Sequence, residues 1–195
     1  MSERVALITG GARGIGRGIA LDLASQQWKI AICYRTSEAD AQKTALAITE
    51  RGGQALAVRC DVSDPVAAKH LAAQVEQTWG RIDVLINGAG PYHRINLFDE
   101  TVEGWNDMFD GNLHPIFYLA QAVAPGMKAR KSGRIINFSD WVAASHPGSA
   151  SVDIVPVATS TSASRARASA PGDPRLPTAV VIDVPSGDQD GPPKN

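Results

Sequence analysis

The stretch of sequence that decides the fold is an apolar run followed by closely spaced glycines, VALITGGARGIG over residues 5–16. Its first four residues are all apolar, which predicts a short strand buried in a parallel sheet. From about Ile15, apolar residues recur at helical spacing through Ile19 and Leu23, which predicts a helix. Glycines between such a strand and helix permit a tight turn, and they let an anion approach the backbone N–H groups at the helix N-terminus. The stretch therefore predicts a turn that binds a pyrophosphate.

The same alternation of strand and helix continues along the chain. Apolar runs predict further strands at residues 29–34, 55–58, 83–86 and 133–138. Helical stretches are predicted between them, the last two over residues 101–130. Repeated alternation of this kind predicts an α/β fold with a parallel sheet, and right-handed crossovers make that sheet doubly wound.

Residues typical of helix ends mark several of the predicted boundaries. Ser37 is a predicted N-cap for the helix that follows the second strand. Either Ser63 or Asp64 is predicted to cap the next helix, ahead of Pro65 in its first turn. Gly80 is predicted to end that helix, because glycine adopts the left-handed backbone conformation common at helix C-termini.

The composition of the chain changes near residue 150. No aromatic residue follows Trp141, and seven of the twelve prolines lie after residue 150, which does not suit a packed core. We therefore predict a dinucleotide-binding domain over residues 1–149 and an atypical, disordered tail over residues 150–195. One apolar run within the tail, AVVI at residues 179–182, could pair as an edge strand.

Composition also excludes several classes of function. The 19 lysines and arginines nearly balance the 20 aspartates and glutamates, so neither a nucleic-acid partner nor an acidic interaction tail is expected. The chain shows no signal-peptide pattern and no apolar stretch as long as a membrane span, which predicts a cytoplasmic protein without a membrane partner. Cys33 and Cys60 have neither metal-ligand spacing nor the pattern of a disulfide framework, so we expect small buried residues near strand ends and no metal site.

Several short motifs, taken in chain order, match one family. The glycine turn reads Thr-Gly-x-x-x-Gly-x-Gly over residues 9–16, Asp-Val at residues 61–62 follows the third predicted strand, and Asn-Gly-Ala-Gly at residues 87–90 follows the fourth. Asn112 and the strand leading to Ser139 complete the series. With these motifs the chain resembles the short-chain dehydrogenase/reductase family over about residues 3–149. The resemblance implies a Rossmann-type sheet and a nicotinamide cofactor.

The segment after the second predicted strand indicates which dinucleotide is bound. NAD users of this family commonly carry an acidic residue there, whereas this chain has Arg35 and no carboxylate before Glu38. Arg35, together with Arg13 in the glycine turn, could pair with a 2′-phosphate. Two cations and no carboxylate predict NADP; the alternative is that both arginines are solvated surface residues. The implied cofactor-binding residues are Gly10, Arg13, Gly14, Ile15, Gly16, Arg35, Asp61, Val62, Asn87, Gly88, Ala89 and Gly90.

The resemblance also implies catalytic positions. In this family a tyrosine donates a proton, a lysine supports the tyrosine, a serine polarises the substrate carbonyl and an asparagine holds a water molecule. Asn112 matches the asparagine, and Pro115 is expected to kink the helix beside it. After Ser139, Asp140 occupies the place of the catalytic serine, as in the pteridine reductases of the family. The candidate catalytic residues are therefore Asn112, Ser139 and Asp140, acting on a small carbonyl or pterin-type substrate; alternatively, Asp140 is a turn residue.

The tyrosine and lysine of the family are missing from this sequence. All three tyrosines precede Ser139, and the only lysine after Lys131 is Lys194, with Asp190 four residues before it. We therefore expect a family member whose C-terminal part has been replaced. Three functions stay open: an active NADP-dependent reductase, an inactive protein that still holds NADP, and a poorly folded fragment.

Replacement of the C-terminal part has structural consequences. The helix and strands that follow the fifth strand in the family would be lost, so the doubly wound sheet is expected to be incomplete at its C-terminal side. Ile135 and Ile136 would then lie near a bare sheet edge. A homo-oligomer is usual for the family, but a helix that serves subunit association would be lost as well.

Overall fold

The computed structural model describes residues 3–92, 95–96, 98–139 and 178–183. The strands are β1 (Val5–Thr9), β2 (Lys29–Tyr34), β3 (Gln54–Arg59), β4 (Val84–Asn87), β5 (Arg134–Ser139) and β6 (Thr178–Asp183). The helices are α1 (Gly14–Ser25), α2 (Glu38–Glu50), α3 (Pro65–Trp79), α4 (Val102–Asn112) and α5 (His114–Ala129).

The strands form one sheet whose order confirms the predicted doubly wound fold. Within the described residues the order is β3-β2-β1-β4-β5-β6, and the first five strands are parallel. The chain first moves outward from β1 through β2 to β3, and then returns to the other side of β1 to add β4 and β5. The reversal lies between β1 and β4, and open α/β sheets bind ligands in the crevice at such a point.

The core has two layers because the side chains of the central strands alternate between the two faces of the sheet. All five residues of β1 are buried, as predicted from its uninterrupted apolar run. Leu7 packs in the layer that α3 and α5 cover, which includes Leu71 and Leu119. Ile8 packs in the opposite layer with α1 and α2, which includes Ile48. The central strand β1 is thereby covered on both faces.

The helix ends agree with the sequence predictions, although one cap makes no side-chain hydrogen bond. Asp64 caps α3, since its Oδ1 accepts a hydrogen bond from the N–H of Val66 at 2.8 Å. Gly80 ends the same helix in the left-handed region, at φ 78°. Ser37 is the N-cap residue of α2, as predicted, but its side chain makes no capping hydrogen bond.

The helix is interrupted beside Asn112, where the kink was predicted: Leu113 separates two helices but keeps a helical backbone conformation. Asn112 is the last residue of α4, and α5 starts at His114 with Pro115 in its first turn. Proline lacks the N–H that would continue the ladder of α4, so the helix ends here. The break leaves Asn112 at a helix end, close to the loop that follows β4.

The expectation of a bare edge beside β5 was wrong. The predicted apolar run at 179–182 lies within β6, which pairs antiparallel with β5 so that Ile135 faces Ile182 and Asn137 faces Val180. The β-branched residues of this run favour a strand, and pairing satisfies the N–H and C=O groups that β5 would otherwise expose. The predicted domain boundary at residue 149 and the remainder of the predicted tail lie outside the described residues. No helix in the described part of the chain is long and apolar enough to cross a membrane.

Candidate nucleotide-binding site

The loops that follow β1 and β4 touch at the reversal point of the sheet. Gly10 adopts φ +66°, and a Cβ built on it would lie 2.7 Å from the carbonyl oxygen of Gly88. Any side chain at Gly10 would therefore push the two loops apart, and the positive φ disfavours such a residue further. The predicted residues Gly10 and Gly88 are brought together here, at the point where the order of the sheet reverses and ligands bind in open α/β sheets.

The side chain of Thr9 links these two loops by hydrogen bonds. Its side chain is buried, and its Oγ1 accepts hydrogen bonds from the backbone N–H groups of Gly88 at 3.0 Å and Ala89 at 3.1 Å. The sequence analysis included Thr9 in the glycine motif but did not select it as a site residue. Its position directly before Gly10 in the motif was the signal that could have identified it.

The first turn of α1 is shaped to receive an anion. Gly14 adopts φ +57° with open space where a Cβ would project, and no side chain caps the helix at Arg13. A Cβ on Gly16 would lie 2.6 Å from the carbonyl oxygen of Gly10, so the glycine keeps the helix close to β1. Uncapped N–H groups and the positive end of the helix dipole favour a phosphate at this position. Ile15 is half exposed beside it, with 55% of its surface accessible.

Arg35 lies at the carboxyl end of β2 and forms an ion pair with Asp61. Arg35 Nη1 is 3.7 Å from Asp61 Oδ2, and both side chains are substantially exposed. The Ser63 hydroxyl donates to Asp61 Oδ1 at 2.7 Å and holds the pKa of Asp61 below its ordinary value, with a smaller contribution from Arg35. Arg59 adds a contact that the sequence analysis missed, since its Nε donates to the backbone carbonyl of Arg35 at 3.3 Å. Val62, beside Asp61, is buried.

Asn112 joins the end of α4 to the loop after β4. Its Nδ2 donates to the backbone carbonyls of Pro91 and Met108, each at 3.0 Å. The Asn112 side chain also occupies the space that a Cβ on Gly90 would need. The break before α5 thus places Asn112 against the loop that carries the predicted residues 87–90.

A pair of asparagines lies at the carboxyl ends of β4 and β5. Asn87 Nδ2 donates to Asn137 Oδ1 at 2.8 Å, and these residues are register partners. Within the described residues, the buried Asn87 Oδ1 has no hydrogen-bond partner. A buried acceptor without a donor is costly, so a ligand that donates a hydrogen bond here would be favoured.

The structure describes one of the two remaining candidate catalytic residues, Ser139, and not the other, Asp140. Ser139 is the last residue of β5, which puts its backbone at the same edge of the sheet as Gly10 and Asn87. Asp140 lies outside the described residues.

The predicted cofactor-binding residue Arg13 is exposed at the start of α1. The described part of the chain contains no group of three or more His, Cys, Asp or Glu side chains that could hold a metal ion.

Comparison with known proteins gives a family match over most of the chain. The family model described as short chain dehydrogenase matches residues 4–152. The 3-oxoacyl-[acyl-carrier-protein] reductase FabG of Staphylococcus aureus strain Mu50 is 36% identical over 146 residues, which are 74% of this chain and 59% of the relative. The match therefore spans a little over half the length of that relative.

Solved structures share the fold and differ in their bound nucleotide. A short chain dehydrogenase from Burkholderia cenocepacia J2315 in complex with NADP is 34% identical with a TM-score of 0.61, covering 65% of this chain and 51% of the other. The NADH-dependent reductase A1-R′ complexed with NAD is 25% identical with a TM-score of 0.62, covering 66% of this chain and 54% of the other. Discrimination between the two nucleotides must therefore be argued from this chain's own residues.

Proposed function

Since the chain belongs to the short chain dehydrogenase family, we propose that it binds NADP(H) in the cleft between Gly10 and Gly88 and acts as an oxidoreductase. The observation that carries the proposal is the contact between the two glycine loops beside the uncapped start of α1. Backbone N–H groups at this place suit a pyrophosphate, and a Cβ at Gly10 would force the two loops apart. The dinucleotide, when bound, donates or accepts the hydride.

The preference for NADP rests on the charges at the end of β2. Arg35 is exposed there and lacks the acidic neighbour in sequence that NAD users of the family carry. Its partner Asp61 follows the adjacent strand β3, and the proposed adenosine site lies beside this ion pair. A 2′-phosphate carries more negative charge than a carboxylate, so it would compete with Asp61 for Arg35. Arg13 supplies a second cation.

The buried side-chain oxygen of Asn87 is also suited to binding the same nucleotide. Asn87 Oδ1 lies buried next to Gly88 without a hydrogen-bond donor in the described residues. The hydroxyl groups of a ribose are donors, so a bound nucleotide could satisfy this oxygen. Asn137 holds the Asn87 amide in place from β5. The two asparagines thus act as binding and positioning residues in the proposal.

The proposed substrate is a small carbonyl compound. The Staphylococcus relative is named as a reductase of 3-oxoacyl groups, which are ketones, and the ends of β4 and β5 offer polar groups for a carbonyl oxygen. Asn112 and Ser139 are the catalytic candidates that the structure describes at this edge. A pterin-type substrate depends on Asp140 and stays a prediction.

A second candidate function is nucleotide binding without turnover. No tyrosine follows Ser139, and the only lysine after Lys131 is Lys194. Reduction of a carbonyl needs a proton donor, and none of the described residues at the cleft is an evident replacement for the family's tyrosine. This chain would then hold NADP(H) without turnover.

The experiment is a fluorescence titration of the full chain with NADPH, with NADH as the control, followed by a turnover assay with a 3-oxoacyl thioester. Saturable binding that favours NADPH supports the binding proposal. NADPH oxidation that depends on the ketone supports the oxidoreductase, and binding without oxidation supports the second candidate. Failure of a folded, monodisperse sample to bind either nucleotide contradicts both.

A further inference from the structure

Two cysteines that are far apart in sequence lie in contact beside the proposed nucleotide site. Cys33 is in β2 and Cys60 directly follows β3, and both are buried and reduced. The Cys33 thiol donates a hydrogen bond to the Cys60 carbonyl oxygen at 3.6 Å. The sequence separation of 27 residues gave no sign of this contact.

The pairing of β2 with β3 places both thiols on the same face of the sheet. Cys33 is the register partner of Val58, and Cys60 follows two residues later, so the side chains of Val58 and Cys60 project to one side. The backbone N–H of Cys60 donates to the carbonyl of Tyr34 at 2.9 Å, which keeps the strands paired up to the cysteine. Cys33 and Cys60 accordingly belong to the same core layer.

The pKa values of the two thiols are shifted in opposite directions. The hydrogen bond from Cys33 lowers the pKa of the Cys60 thiol, although burial, Asp61 and Asp64 oppose this effect. The same hydrogen bond, together with burial, raises the pKa of Cys33. Of the two thiols, Cys60 therefore forms the thiolate more readily, and the thiolate is the reactive form in thiol–disulfide exchange.

Cys60 is reachable from a cavity of about 500 Å³ between β3 and α3. Two arginines, Arg35 and Arg59, line this cavity, against a single carboxylate from Asp61. The balance of charge on its walls favours an anionic molecule. Small disulfides that carry carboxylates, such as glutathione disulfide, have that charge and supply an S–S bond for Cys60 to attack.

We propose that Cys33 and Cys60 form a reversible intramolecular disulfide, with a small anionic disulfide as the oxidant. The Cys60 thiolate attacks one sulfur of glutathione disulfide, and one glutathione leaves as a thiolate that takes up a proton. The Cys33 thiol then loses its proton and attacks the Cys60 sulfur, and the second glutathione leaves. Two protein thiols are oxidised to one disulfide, and one glutathione disulfide is reduced to two glutathione molecules.

The disulfide would act on the nucleotide site through the residues next to each cysteine, a consequence that rests on the proposed function. Arg35 lies two residues after Cys33, and Asp61 directly follows Cys60. Drawing the two sulfurs into a covalent bond requires a specific geometry, so the strand ends must shift. The Arg35–Asp61 pair would be displaced, and the oxidised chain would bind NADPH several-fold more weakly than the reduced chain.

The test is a titration of the folded full chain with glutathione disulfide, read by intact mass after alkylation of the free thiols. The wild type is expected to lose both free thiols together without gaining glutathione. The Cys33→Ser variant, which keeps a hydrogen-bond donor beside Cys60 but cannot form the disulfide, should retain one glutathione on Cys60, while Cys60→Ala should leave Cys33 unmodified. Circular dichroism confirms that the variants are folded.

Three results would overturn the disulfide: no loss of thiols in the wild type, a wild type that stops at the glutathione adduct, or modification of Cys33 in the Cys60→Ala variant. NADPH titration of the oxidised and reduced wild type tests the consequence separately, and equal affinities would overturn it. A chain that binds NADPH in neither state contradicts the proposed function, while the mass measurement still decides the disulfide.

Discussion

Thr9 and Gly88 are joined by a hydrogen bond of 3.0 Å from the Gly88 N–H to the Thr9 hydroxyl oxygen, although 79 residues separate them. This bond connects the end of β1 with the end of β4, at the point where the order of the sheet reverses. It therefore holds together the two loops that form the proposed nucleotide cleft. The stability of the fold and the affinity for the nucleotide share this contact.

Substitution of Thr9 by valine should weaken both properties. Thr9→Val keeps the shape of the side chain but removes the acceptor for two N–H groups, of Gly88 and Ala89. An unsatisfied buried polar group costs about 1–3 kcal/mol, so the free energy of unfolding should fall by that amount. Urea denaturation measures it, and Thr9→Ser, which keeps the hydroxyl, should lose less. Equal losses of unfolding free energy in Thr9→Val and Thr9→Ser would show that side-chain packing, and not the hydrogen bonds, causes the destabilisation.

Addition of a single methyl group at Gly10 should abolish tight nucleotide binding. Gly10→Ala places a Cβ 2.7 Å from the Gly88 carbonyl oxygen at a positive φ, so the two loops must separate. We expect NADPH affinity to fall by about tenfold or more, which corresponds to about 1.4 kcal/mol or more.

Gly18 provides the matched control for Gly10. It lies in the same segment, within α1, and has open space where a Cβ would project. Gly18→Ala should leave NADPH affinity unchanged, and it should stabilise the helix by up to about 1 kcal/mol. If Gly10→Ala bound NADPH as well as Gly18→Ala, the cleft would not be the binding site.

Removal of the charge at Arg35 should affect one nucleotide and not the other. Arg35→Gln loses the guanidinium proposed to pair with the 2′-phosphate, and charge-assisted hydrogen bonds contribute about 1.5–3 kcal/mol. NADPH affinity should therefore fall by about tenfold or more, with little change for NADH. Arg51→Gln, at an exposed arginine that follows α2, serves as the charge-matched control. A parallel loss for both nucleotides would contradict the proposed role.

The pKa of Asp61 should depend on Ser63. Ser63→Ala removes the hydroxyl that holds the pKa of Asp61 down, so this pKa should rise toward its ordinary value, as read by NMR titration of the carboxyl carbon. The pKa of Asp61 in the folded state lies below its pKa in the unfolded chain. Ionised Asp61 therefore stabilises the fold at pH values above the unfolded-state pKa, and this stabilisation is lost as the pH falls through the folded-state pKa. An unchanged pKa in Ser63→Ala would assign the shift to other neighbours.

Features that depend on neighbouring residues could be predicted from the sequence. The buried run of β1 and the glycines after it predicted the strand, the turn and the start of α1. Asp64 was one of two predicted caps for α3, and its backbone is extended at ψ 117°. Ser37 had an equally suitable side chain, but its ψ of 54° departs from the extended conformation that a cap requires, and that conformation is set by the fold around it.

Features that depend on distant residues could not be predicted in the same way. The run that forms β6 was identified as a possible edge strand because it is apolar, but its antiparallel pairing with β5 depends on residues 39 to 49 positions earlier in the chain. The bond of Thr9 to Gly88 and the contact of Cys33 with Cys60 arise only when strands come together in the sheet. Sequence motifs indicated the candidate residues of the proposed site, and the sheet order determined which of them meet.

The central claim is that the dinucleotide binds across Gly10, the start of α1 and the loop after β4. The most direct measurement is the change in backbone amide chemical shifts of the full chain when NADPH is added. The account predicts that the largest changes fall on Gly14, Ile15 and Gly88, with little change at Gly80 at the far end of α3. Saturable NADPH binding that leaves the amides of Gly14 and Gly88 unmoved would contradict it.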